Sequence, residues 1–175
     1  MNKNKKTVGV YAGSFNPFHC GHADILHQAL EVFDEVIIAP GQNPMKDNKE
    51  YDNFPDGHPI LGRAKVIPFT GLLSDFLNEL KGLNKDNEIF LVRGLRNGED
   101  LQYEQNQLQF IKGMYPSLKT VFFICDKKFE HISSSALRAL KKVSENEYKK
   151  YTFESKTESS DLPTCGWGDE NLCDG

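Results

Sequence analysis

The sequence predicts an α/β fold, an open parallel sheet with helices on both faces. Three observations carry that expectation. Short, nearly continuous apolar runs recur at residues 7–12, 35–39, 88–92 and 120–125. Stretches with apolar residues at helical spacing separate them. The most unusual residue clusters lie where a run gives way to such a stretch, which is the ligand-binding carboxyl edge of a parallel sheet.

The elements follow in order. Residues 7–12 form a first strand, and Ala23, Ile25, Leu26, Ala29, Leu30 and Phe33 mark a helix that opens near Gly21. A second strand over 35–39 ends at Pro40 and Gly41, and the Asn-, Asp-, Pro- and Gly-rich residues 42–59 read as a long loop. Residues 65–69 suggest a short strand, with Pro68 placing it at an edge or end. A helix over 72–80 stops near Gly82, and a strand over 88–92 delivers Arg93 at its carboxyl end. A long helix over 99–114 is closed by Gly113 and Pro116. The last strand spans 120–125, after which Ser133 or Ser134 caps a helix through residue 140. No internal repeat is visible.

Length and charge bound the class. A chain of 175 residues with 38% hydrophobic content suits one domain with a full-sized core. The net charge of −4 is uneven: from Phe153 onward six acids face one base, and that net −5 leaves the rest at about +1. We therefore expect a folded domain over residues 1–150 and an acidic tail over 151–175. Neither part has the basic excess of a dedicated nucleic-acid binder. No apolar run is long enough to span a membrane, and residues 1–6 lack the apolar core of a signal peptide, so a cytoplasmic protein is expected. Cys20, Cys125, Cys165 and Cys173 fit no metal-site spacing, and a disulfide is disfavoured in a reducing compartment.

Gly13-Ser14-Phe15-Asn16-Pro17-Phe18-His19-Cys20-Gly21-His22 is the most informative stretch. Gly13 permits a close turn after the strand, and Gly21 permits close backbone approach to a ligand. The helix that starts there offers free N–H groups and a positive dipole end to an anion. His19 and His22 add two imidazoles to that spot, as a nucleoside triphosphate would require. Two further blocks occupy equivalent junctions: Arg93-Gly94-Leu95-Arg96 with Asp100, Tyr103 and Glu104, and Ile132-Ser133-Ser134-Ser135.

Together, in this order, the three blocks resemble the HxGH nucleotidyltransferase superfamily, and within it phosphopantetheine adenylyltransferases, over residues 6–143. The resemblance implies a Rossmann-like nucleotidyltransferase fold and transfer of AMP from ATP to 4'-phosphopantetheine, giving dephospho-coenzyme A and pyrophosphate. It implies ATP and a phosphorylated acceptor as partners, Mg²⁺ arriving with ATP rather than on protein ligands, and a homo-oligomer. By the same resemblance His22, Lys46 and Arg96 are the catalytic residues. The ATP site takes Ser14, Phe15, His19, His22, Gly94, Arg96, Glu104, Ser133, Ser134 and Ser135. The acceptor site takes Ser14, Lys46, Leu73 and Arg93. In-line transfer at the α-phosphate needs no general base, because the acceptor phosphate is already an anion. It needs cations and donors that hold two polyanions together, which this set supplies.

Two alternatives stay open. A full HxGH, and an arginine placed as Arg138 is after the serines, are more typical of nicotinamide mononucleotide adenylyltransferases. Phosphopantetheine enzymes usually carry Thr or Asn at the position of His19 and Asp at that of Asn16. A non-catalytic nucleotide-binding protein is the second alternative. An ion pair with Glu99 or Asp100 is expected for at most one of Arg93 and Arg96. His27, His58 and His131 are expected to be structural or solvent-facing.

Overall fold

The computed structural model describes residues 5–42, 59–83 and 85–153. The elements run β1 (Thr7–Gly13), α1 (Cys20–Val32), β2 (Glu35–Gln42), α2 (Pro59–Gly62), β3 (Lys65–Val66), β4 (Phe69–Thr70), α3 (Leu73–Leu83), β5 (Glu88–Leu95), α4 (Gly98–Met114), β6 (Lys119–Ile124), α5 (Ser134–Val143) and α6 (Glu145–Lys149). A 3₁₀ turn, Lys127–Phe129, lies between β6 and α5. The strands form one parallel sheet in the order β3-β2-β1-β5-β6, with β4 also pairing with β2. This is the doubly wound α/β arrangement expected from the alternation of strands and helices.

Strand periodicity divides the interior into two cores. On one face Val8, Val10 and Ala12 of β1, Ile37 and Ala39 of β2, and Ile89 and Leu91 of β5 meet Phe76, Leu77 and Leu80 of α3 and Leu108 and Ile111 of α4. On the other face Tyr11, Val36, Ile38 and Val92 meet α1 through Ala23, Ile25, Leu26 and Ala29, with Leu137 of α5 and Tyr148 of α6 alongside. A parallel strand buried on both faces has no polar side, which is why these runs read as continuous apolar sequence. Among the described residues no helix is long and apolar enough to cross a membrane.

Several boundaries differ from the sequence-based expectation. The single strand over 65–69 is two short strands, both paired with β2. Ile67 still donates to Ile38 O at 2.9 Å, but Pro68 has no N–H and interrupts the ladder. β5 continues to Leu95, past the expected end at residue 92, so Arg93 and Gly94 lie within the strand. A Cβ on Gly94 would lie 2.8 Å from Ile25 Cγ1, so the missing side chain lets α1 pack closely on β5. The helices α2 and α6 were not anticipated. Most of the expected 42–59 loop lies outside the described residues.

Leu77, 0% exposed, anchors α3 in the second core. Leu77→Ala is expected to cost about 2–5 kcal/mol in urea denaturation, the range for a buried Leu truncation. Gly94→Ala is expected to cost about 1–3 kcal/mol by overpacking against Ile25.

Candidate active site

The strand order reverses between β1 and β5, since β2 follows on one side of β1 and β6 beyond β5 on the other. These two strands pair from Thr7 opposite Glu88 to Tyr11 opposite Val92. β1 then continues to Gly13 paired only with β2, where Gly13 lies opposite Pro40. Beyond Tyr11 and Val92 a cleft of about 300 Å³ opens at the carboxyl edge, between the starts of α1 and α4. Arg93 Nη1 donates to Ala12 O at 3.0 Å and ties the two separated strand ends together. This is the switch-point crevice where open α/β sheets bind ligands.

His19 is the N-cap of α1, extended at φ −144 and ψ 171. Its Nδ1 accepts from His22 N at 3.3 Å, while His22 Nδ1 accepts from His19 N at 3.3 Å. The two histidines thus form a reciprocal capping box, and their rings stack 3.6 Å apart and 18° from parallel. A ring whose Nδ1 accepts carries its neutral-form proton on Nε2. Burial, then the nearby Arg96 charge, pushes His19 from 6.5 down to about 3. Burial, then His19 and Arg96, holds His22 well below its ordinary value. At neutral pH the pair is two uncharged Nε2–H donors. Gly21 has a local reason here, because a Cβ would lie 3.2 Å from the His19 ring.

Phe15, Phe18 and Tyr11 surround His22, with ring centroids 5.1, 5.5 and 6.3 Å away. Phe15 has φ +47, a left-handed conformation that costs a bulky residue about 1–3 kcal/mol. Its ring is nevertheless buried, edge-on to Tyr11 at 5.0 Å and beside His22, and this packing holds the strained turn.

The arginines at the end of β5 and just after it meet acids on α4. Arg96 grips Asp100 through Nε to Oδ2 at 2.9 Å and Nη2 to Oδ1 at 2.8 Å, and its own backbone N donates to Oδ2 at 2.9 Å. These hydrogen bonds hold the Asp100 carboxyl below its ordinary range. Arg93 Nε lies 3.1 Å from Glu104 Oε2, an ion pair without hydrogen-bond alignment. Both arginines are therefore ion-paired: Arg96 alone takes the expected partner Asp100, while Arg93 pairs with Glu104.

The third block closes the loop. Ser133 caps α5 by accepting from Ala136 N at 3.2 Å, and Ser134 Oγ donates to Pro17 O at 3.2 Å. Arg138 Nη1 donates to Asn16 O. Both contacts clamp the segment that precedes His19.

Of the expected site residues, Phe15, His19, His22, Arg93, Gly94, Arg96, Glu104, Ser133 and Ser134 line the cleft together. Ser14 and Ser135 are exposed and stand outside that lining, although Ser135 Oγ lies 3.2 Å from Ser133 Oγ. Leu73, at the start of α3, packs against the second core instead. Lys46 and His58 lie outside the described residues. His27 lies 3.4 Å from Glu31, and His131 is exposed.

Sequence reasoning missed three contributors. Asp24 is buried in the apolar face of α1, where Oδ2 accepts from Asp126 N at 2.8 Å and Gln28 Nε2 at 3.1 Å, fixing the chain after β6. A carboxylate inside an apolar stripe was its available signal. Tyr11 lines the cleft, with burial pushing its phenol above the ordinary value. Residues Tyr151, Thr152 and Phe153 pack on the His19 loop, so the packed body runs past residue 150. Cys20 is buried in the first core, and Cys165 and Cys173 lie outside the described residues. Cys125 is a buried free thiol lining the cleft, pushed by burial up to about 11.

The histidine pair links folding to pH. Between 6.5 and about 3 the unfolded chain binds protons that native His19 refuses, so stability is fullest above 6.5 and falls as pH drops through that window. Urea midpoints measured from pH 7 to pH 4 are expected to fall. His19→Asn, which keeps a cap acceptor without a titrating ring, is expected to flatten the slope.

Residues 10–140 match the cytidylyltransferase-like family model. A phosphopantetheine adenylyltransferase from Porphyromonas gingivalis is 35% identical over 144 residues, covering 78% of this chain and 88% of that protein. One from Cytophaga hutchinsonii is 36% identical over 140 residues, covering 77% and 89%. Among solved structures, Plasmodium falciparum nicotinic acid mononucleotide adenylyltransferase complexed with NaAD superposes with a TM-score of 0.61. At 17% identity over 84% of this chain and 90% of that one, it speaks for the fold alone. Sequence identity and site layout lead to one conclusion: the chain belongs to the cytidylyltransferase-like family and, within it, to the phosphopantetheine adenylyltransferases.

Proposed function

We propose that this protein transfers AMP from ATP to 4'-phosphopantetheine. An acceptor phosphate oxygen bonds to the α-phosphorus of ATP, the bond from that phosphorus to the α,β-bridging oxygen breaks, and pyrophosphate leaves with dephospho-coenzyme A. The observation that carries the reading is the pair of neutral, tautomer-fixed imidazoles at the first turn of α1, inside the switch-point cleft.

An in-line displacement builds negative charge on the α-phosphate oxygens and on the leaving pyrophosphate. In this reading His22 donates its Nε2 proton as a hydrogen bond to the α-phosphate, and His19 donates to the neighbouring phosphates. Arg96 trades part of its grip on Asp100 for phosphate oxygens, and the Ser133 and Ser134 hydroxyls with the start of α5 add donors. Arg93 faces the acceptor while Glu104 holds its guanidinium, so in this reading Glu104 orients Arg93 toward the acceptor rather than contacting ATP directly. Lys46 is assigned to bridge the α-phosphate and acceptor from family resemblance alone. Both carboxylates in the cleft, Asp100 and Glu104, are taken by arginines. That suits a Mg²⁺ carried by phosphate oxygens and water, where it would neutralise triphosphate charge.

The nicotinamide reading draws on His19 and Arg138. Arg138 is engaged with the Asn16 carbonyl, which gives it a loop-clamping job independent of any acceptor. A binding protein without turnover would have little reason to keep two imidazoles and two arginines in one cleft.

The deciding assay supplies ATP and Mg²⁺ with phosphopantetheine or with nicotinamide mononucleotide and follows pyrophosphate. Release is expected with phosphopantetheine. Release with nicotinamide mononucleotide alone would overturn the acceptor, and no release with either would overturn the enzyme reading. His22→Ala is expected to lower kcat at least about 100-fold, in line with removal of a transition-state donor. The lost cap is expected to cost only about 1 kcal/mol of stability, checked by urea denaturation.

A further inference from the structure

His19 can cap α1 only while its backbone stays extended, because the cap residue must lie outside the helix. Something has to hold it there. The segment that does so is Tyr148 to Phe153, beyond the end of the family match at residue 140. His19 forms an antiparallel bridge with Thr152, and Tyr151 O accepts from Cys20 N at 3.0 Å, one of the unpaired donors of the first turn of α1. The segment is itself anchored. Tyr148 is buried, and its carbonyl accepts from Tyr151 N at 3.1 Å and from the buried Thr152 Oγ1 at 3.3 Å. Phe153 is buried with its ring 5.8 Å from Phe18, and the Phe18 ring lies 5.5 Å from His22.

We propose that residues 148–153 are a positioning strap that keeps His19 extended, and thereby keeps His19 and His22 capping each other as Nε2–H donors. Through Thr152 the strap sets the backbone of the first histidine. Through Phe153 and Phe18 it sets the packing of the second. Neither Thr152 nor Phe153 lines the cleft itself, so their effect on transfer passes through the imidazoles. The consequence for activity rests on the reading that those imidazoles meet the phosphates of ATP; the consequence for the rings does not.

The test is Phe153→Ala in the full chain. Long-range proton–nitrogen NMR of the imidazoles reports which ring nitrogen carries the proton, without substrate. In the unaltered protein both rings are expected to show protonated Nε2 and bare Nδ1. In Phe153→Ala they are expected to show mixed tautomers, with kcat for pyrophosphate release lower by about tenfold or more, the scale for misplaced catalytic groups. Leu80→Ala, a truncation in the opposite core, is expected to lower the melting temperature while leaving the ring pattern and kcat unchanged. Thr152→Val makes a smaller cut in the same strap and carries the test if Phe153→Ala does not fold. Rings that keep the wild-type pattern in a folded strap variant would overturn the proposal whatever kcat does. Mixed tautomers with unchanged kcat would uphold the strap and overturn the role of the histidines in transfer.

Discussion

The structure of the candidate site depends on two imidazoles at the first turn of α1, His19 buried and His22 half-buried. Burial removes water from both rings and makes a positive charge on either costly, so they stay neutral. Their reciprocal capping then leaves no freedom of tautomer, because each Nδ1 is committed to the other residue's backbone N–H. The cleft thus holds preorganised donors that need no proton uptake before they act. A polyanion entering the cleft would supply the negative charge that their surroundings lack.

Around that pair the cleft is arranged to keep cations available without leaving them unpaired. Arg96 and Arg93 would repel each other and suffer burial if they stood alone. Asp100 and Glu104 offset both costs. Asp100 and Glu104 are four residues apart, one turn along α4, so a single helix face presents both carboxylates to the end of β5 and the turn that follows it. The arginines are held and oriented, and the phosphates of a ligand compete for them with carboxylates rather than with bulk water.

The architecture and three of the site's blocks were legible in the sequence, since apolar runs buried on both faces and glycine-bearing junctions leave local signals. Phe15, His19, His22, Arg96 and the Ser133–Ser134 pair could be named because strand ends and helix starts put them on one edge. Asp100 could be named as an arginine partner, but Glu104 as the partner of Arg93 was less readable, because the i,i+4 spacing says which residues share a face but not what the face meets. Leu73, expected in the acceptor site, packs on the second core, and an apolar residue at a helix start has no local mark that separates a pocket wall from a core. The separation of residues 65–69 into two strands follows from Pro68, whose missing N–H breaks a ladder that the apolar pattern alone made continuous.

By itself the sequence determined the alternation of strand and helix, the edge of the sheet that carries the chemistry, and the family. Periodicity, capping residues and motif spacing are local properties that any window of the chain displays. Tertiary structure alone decided that β1 and β5 separate after Tyr11 and Val92, that Gly94 admits Ile25, and that residues 148–153 return to hold His19. Each joins parts of the chain far apart in sequence, and the energy of such a contact depends on burial and approach that no local pattern encodes.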